Sequence, residues 1–102
     1  MKSPSQTPQQ HRSRAAVVIL RRRQVQAESG YSRSTIYLRI SQGLWPRPIS
    51  LGARAVGWPA SEVDALNAAR IAGLCDDEIR SLVTELQSAR KKAGARNATS
   101  AG

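Results

Sequence analysis

The sequence predicts a mainly α-helical domain with a small β-hairpin, arranged as a winged helix-turn-helix with an extra C-terminal helix. Three observations predict it. Gly30 and Gly43 close two short helical stretches separated by a tight turn. Two short apolar runs flank Gly52-Ala53-Arg54, the composition of a hairpin turn. Two later stretches carry apolar residues at helical spacing and are divided by Gly73. A chain of 102 residues holds one core with tails rather than two domains.

Residues 1–14, rich in Ser, Pro, Gln and Arg, have almost nothing to bury and read as a disordered basic arm. The winged domain is expected over 15–72. Val17 to Leu20 suits either a strand or an apolar anchor entering the first helix, because four residues do not reveal a period. From about Arg22 to Ser29 a short helix is expected, with Val25 inward and Gly30 as its stop. Gly30-Tyr31 makes the turn. Ser32 caps a second helix from Arg33 to about Gln42, ended by Gly43. Leu44-Trp45-Pro46-Arg47-Pro48 is an extended connector, since its prolines fix φ and lack amide donors. Ile49 to Leu51 and Ala55 to Trp58 then form the hairpin that places Arg54 at the tip of a wing.

Pro59 suits the start of a third helix, whose inward stripe is Val63, Leu66 and Ala69. A fourth helix starts near Asp76, where Asp76, Asp77 and Glu78 complement its positive end and Arg90, Lys91 and Lys92 its negative end. Residues 73–92 form this amphipathic segment, with Ile79, Leu82, Val83 and Leu86 as its stripe. The stripe serves either to fold back on the domain or to build a homodimer, with dimerisation slightly favoured. Residues 93–102 read as a disordered tail.

Charge narrows the partner. The net charge is +9, and residues 1–54 hold 10 Lys and Arg against 1 acid, whereas residues 55–102 hold 6 of each. Such an excess on the helix-turn-helix half favours a polyanion, double-stranded DNA first. In this motif the second helix enters the major groove. At about 100° per residue, Ile36 and Ile40 share the inward face and put Ser34 and Leu38 on the opposite side. Arg33 and Arg39 have stems long enough to reach a guanine edge or a phosphate, and Leu38 suits a thymine methyl. Ser32, Ser34 and Thr35 complete the polar start of the helix, and Tyr37 offers its hydroxyl to phosphate. Arg47 on the connector and Arg54 on the wing suit phosphate or minor-groove contact, with Arg21, Arg22 and Arg23 adding phosphate contacts. Trp45 and Trp58 are assigned to the core, as a small domain without Phe needs both.

Enzymatic readings fail for want of parts. The chain has one His, His11 in the arm, and one Cys, with no cluster at metal spacing, no phosphate-binding Gly loop and no nucleophile-base pair. No cofactor, metal or small-molecule ligand is therefore expected. Cys75 excludes an internal disulfide and reads as a packing residue in a reducing compartment. The longest apolar run, Ala15 to Leu20, is too short for a membrane span and unlike a signal peptide, so a cytoplasmic, nucleoid-associated protein is expected.

The ordered series Ser32-Arg33-Ser34-Thr35-Ile36-Tyr37, Gly43, Pro46-Arg47-Pro48, Leu51-Gly52, Ala55-Val56-Gly57-Trp58 and Ser61-Glu62-Val63 resembles the AlpA family of prophage regulatory proteins over about residues 19–70. The resemblance implies a winged helix-turn-helix related to MerR-like and excisionase folds, acting as a bacterial or prophage transcriptional regulator, often of integrase or excision functions. It also implies that Arg33 to Tyr37 form the reading helix and Arg54 the wing contact. Arg22 departs from the pattern, standing where an apolar residue is expected. Alternatives are an excisionase-like architectural factor that bends DNA, a basic protein-interaction module, and an RNA-binding protein. The last is disfavoured by the lack of a KH-type loop or aromatic-rich sheet motifs.

Overall fold

The computed structural model describes residues 18–101, with side chains as far as Lys92. The arm at 1–14 lies outside the described residues. The elements run β1 (Ile19–Arg21), α1 (Arg22–Ser29), α2 (Arg33–Ser41), β2 (Ile49–Gly52), β3 (Ala55–Pro59), α3 (Ala60–Ile71) and α4 (Asp76–Ala101).

The helices begin and end where their caps dictate. Gly30 takes φ 79°, and its N–H donates to the Gln26 carbonyl, closing α1 in a left-handed turn that an L side chain resists. Ser32 Oγ accepts from the Thr35 N–H at 3.2 Å and starts α2. At α4, the Cys75 N–H donates to Glu78 Oε1 at 2.9 Å. That backbone hydrogen bond, helped by a side-chain one from Cys75, holds the Glu78 carboxyl below its ordinary pKa. Cys75 is exposed rather than packed, because the apolar stripe of α4 starts only at Ile79. The helix also continues past Ala93, where the sequence suggested a tail; Ala93, Ala95 and Ala98 are strong helix formers.

The hairpin proves to be part of a three-stranded antiparallel sheet in the order β1-β3-β2. The short stretch at Ile19 pairs with the wing strand, matching Ile19 to Pro59, Leu20 to Trp58 and Arg21 to Gly57. Strand alternation buries Leu20 and exposes Ile19 and Arg21. The Ala60 N–H, donating to the Val18 carbonyl at 2.8 Å, ties the start of α3 to the same strand. A bulge between Ser50 and Gly52 bends β2 into the turn.

Between sheet and helices lies one core in which Val25, Ile36, Trp45, Trp58, Val63 and Leu66 are fully buried. Trp58 Nε1 donates to the Pro46 carbonyl at 2.8 Å, which fixes the connector over the sheet. The stripe of α4 is used here. Ile79 and Val83 are buried in the core, and Leu82 and Leu86 pack against it. A bidentate pair fastens α4 to α3: Arg90 donates from Nε to Glu62 Oε2 at 2.8 Å and from Nη2 to Glu62 Oε1 at 2.6 Å. The end of α1 is finished from α3 as well, by Asn67 Nδ2 on the Glu28 carbonyl at 2.9 Å and Arg70 Nη1 on the Ser29 carbonyl at 3.0 Å.

Candidate nucleic-acid interface

Burial divides α2 into two faces. Ile36 is fully buried and Ile40 half-buried, a 3.6-residue period puts Ser34 and Leu38 opposite them, and Arg33 and Tyr37, nearer the buried stripe, are exposed as well. Leu38 is 56% exposed, which makes it the most exposed large apolar side chain of α2. Ser32, Ser34 and Thr35 gather at the N-terminus: Ser32 Oγ donates to Thr35 Oγ1 at 2.9 Å and lies 3.3 Å from Ser34 Oγ. Hydroxyls, free helix-start amides and Arg33 thus share the end of the helix where the macrodipole is positive, an arrangement suited to phosphate.

The wing supplies a second cationic site. Arg54 is exposed in the turn between β2 and β3, and it lines a depression of about 250 Å³ with Arg21, Arg22 and Arg23. β1 is responsible, because its pairing with β3 carries the start of α1 to the root of the wing. Four arginines therefore line one depression where the sequence supplied a triplet and a lone wing residue. Arg22, the departure from the expected pattern, is one of them and is only half-buried.

Two expected residues lie elsewhere. Arg39 turns from the outer face of α2 toward the ring of Tyr31, with its Cζ 5.4 Å from the ring centroid. Tyr31 in turn meets Trp45 edge-on at 5.7 Å and carries the Arg70 Cζ 4.4 Å over its ring. This pile is a cation–π and aromatic joint between α2, the connector and α3. It went unnoticed in the sequence, where Tyr31 had only a turn position and Arg70 only its charge. Arg47 does not join the wing cluster; its N–H donates to Gln87 Oε1 at 2.8 Å, so it stands beside α4.

Among the described residues no three His, Cys, Asp or Glu side chains gather to hold a metal, and no helix is long and apolar enough to cross a membrane.

Comparison with known proteins supports the same portion of the chain. The model of the family described as prophage CP4-57 regulatory protein (AlpA) matches residues 18–71, just over half of the sequence. A curated relative named uncharacterized protein ORF88, from Enterobacteria phage P4, is 54% identical over 44 residues, covering 43% of this chain and 50% of its own length. The chain thus spans about half the length of that relative. No solved structure matches. The matched residues hold β1 through α3, and with them both faces of α2 and the whole wing, so the chain belongs to the AlpA family of prophage regulatory proteins.

Proposed function

We propose that this chain is a sequence-specific, duplex-DNA-binding transcriptional regulator of prophage type, working in the bacterial cytoplasm without catalysing a reaction. The observation that carries the reading is the solvent face of α2, where Arg33, Ser34, Tyr37 and Leu38 stand together. A helix of that kind reads base edges from the major groove, Arg33 suiting guanine and Leu38 a thymine methyl. Arg21, Arg22, Arg23 and Arg54 hold flanking phosphates or the minor groove. The domain acts through one reading helix per chain. The stripe expected to drive a homodimer is spent on the chain's own core, so a dimer would have to use another surface.

Selection of binding sites from random duplexes at physiological salt tests this. A defined motif is expected. Arg33→Ala should relax one base position by about 1–3 kcal/mol, while Arg54→Ala should weaken all sequences alike. Salt-sensitive binding with no enriched motif would refute sequence-specific reading and leave an architectural role.

A further inference from the structure

The matched family residues end at Ile71, yet α4 carries a groove of its own. Arg47, Thr84, Gln87, Ser88, Arg90 and Lys91 line an open depression of about 540 Å³ between the connector and α4. Thr84, Gln87, Ser88 and Lys91 fall at i, i+3, i+4 and i+7, one face of the helix. No carboxylate lines this depression among the described residues.

The hydrogen bonds already made decide which groups are left to bind. Arg90 is neutralised by Glu62, so its role is to fasten the helix. Thr84 gives its hydroxyl proton to the Arg80 carbonyl at 3.0 Å. Gln87 accepts the Arg47 N–H through Oε1, which turns its amide NH₂ to the groove as a donor. Arg47, Gln87, Ser88 and Lys91 thus line the groove with side chains able to donate, two of them charged. The Pro46 to Pro48 connector, which contributes Arg47 and Pro48 to the groove, links α2 to the wing strand β2 in the chain.

We propose that this groove grips a backbone phosphate of the duplex, so that α4 extends the DNA footprint beyond the family domain. This rests on the DNA-binding reading above. Lys91 is the principal cation and Ser88 and Gln87 are positioning donors; the contact carries no base information.

The test measures affinity for the selected duplex as a function of salt, using the full chain with Lys91→Ala, Arg47→Ala/Lys91→Ala and, as a charge control, Lys92→Ala, which lies outside the groove. All three side chains are exposed, so folding should be retained, and circular dichroism checks this. Loss of one phosphate contact lowers the salt slope by about 0.9. Between 50 and 200 mM salt, Lys91→Ala should therefore lose about 3.5-fold less affinity than the parent. The double variant should lose about twice that slope, with the preferred motif unchanged in each. Lys92→Ala should leave the slope near the parent's. A Lys91→Ala slope equal to that of Lys92→Ala, with motif binding intact, overturns the groove assignment alone. Failure of the parent to bind any duplex overturns it together with the functional reading.

Discussion

Replacing Arg90 with methionine removes one half of the joint between α3 and α4 and leaves the other half in the interior. The Glu62 side chain is 5% exposed, whereas that of Arg90 is 23% exposed, so the two partners have unequal access to water. A buried pair broken from one side costs about 3–5 kcal/mol, because the remaining charge is neither hydrated nor compensated. Glu62 sits in the first turn of α3, where the helix dipole offsets about 0.3–1 kcal/mol of that penalty. The expected loss for Arg90→Met is therefore near the lower end, about 3 kcal/mol. Glu62→Gln should cost less, about 1 kcal/mol, since the amide keeps one acceptor and the arginine can swing to solvent. Glu62→Leu/Arg90→Met should recover most of the loss, as an apolar replacement removes both desolvation penalties. Urea unfolding at pH 7, followed by the fluorescence of Trp45 and Trp58, reads all three as midpoint shifts at constant slope. Equal costs for the two single variants, or an additive double variant, would refute the argument that desolvation of Glu62 dominates this joint.

Two further variants probe the sheet and the start of α4. A Cβ at Gly57 would lie 2.6 Å from Ile19 Cγ2 and 3.0 Å from both the Leu20 carbonyl oxygen and Leu51 Cδ1. Gly57→Ala should thus cost about 1–3 kcal/mol by overpacking, since the carbonyl belongs to a paired strand and cannot retreat; an unchanged melting temperature would show that β1 gives way freely. Glu78 has a folded pKa below its unfolded one, so its contribution is present above the unfolded value and fades as pH falls through the folded one. Glu78→Ala should lower the urea midpoint at neutral pH, and the gap to the parent should start to close only below the ordinary Glu value of about 4.3 and vanish once the folded carboxyl is protonated, whereas a gap that persists in the acid-protonated protein would remove the carboxylate from the explanation.

Much of the fold was legible because its punctuation is local. Gly30, Ser32 and Gly43 bound α1 and α2 within the sequence itself, and helical spacing identified Val63, Leu66, Ile79 and Val83 as inward. Trp45 and Trp58 followed from volume, there being no Phe to fill the core. What stayed hidden depends on residues far apart in the chain. The stretch at Ile19 becomes a strand only through partners at 57–59, and no period is visible in so few residues. The same pairing assembles Arg21, Arg22, Arg23 and Arg54 into one site. Arg39 was legible as a cation on α2, but its place over the ring of Tyr31, eight residues earlier and across the turn, was not. Glu62 carries no local sign of its partner, since Arg90 stands 28 residues later in the chain. Cys75 was assigned to packing from the habits of cysteine, whereas here it is the exposed residue that precedes the helix.

The way α1 ends sets how this protein must assemble. With 8 residues, α1 is shorter than the roughly 12–15 needed for an isolated helix to be even marginal in water, and its last carbonyls are satisfied by Asn67 and Arg70, which arrive late in the chain. α2 packs against α1, so on the proposed function a polypeptide that has not yet brought α3 home lacks the support of its reading helix. If the proposed function holds, recognition and global folding rise and fall as one transition: a duplex ligand at one hundred times its dissociation constant would stabilise the native state by about 2.7 kcal/mol, and substitutions deep in the core would weaken binding with every residue of the exposed α2 face unchanged.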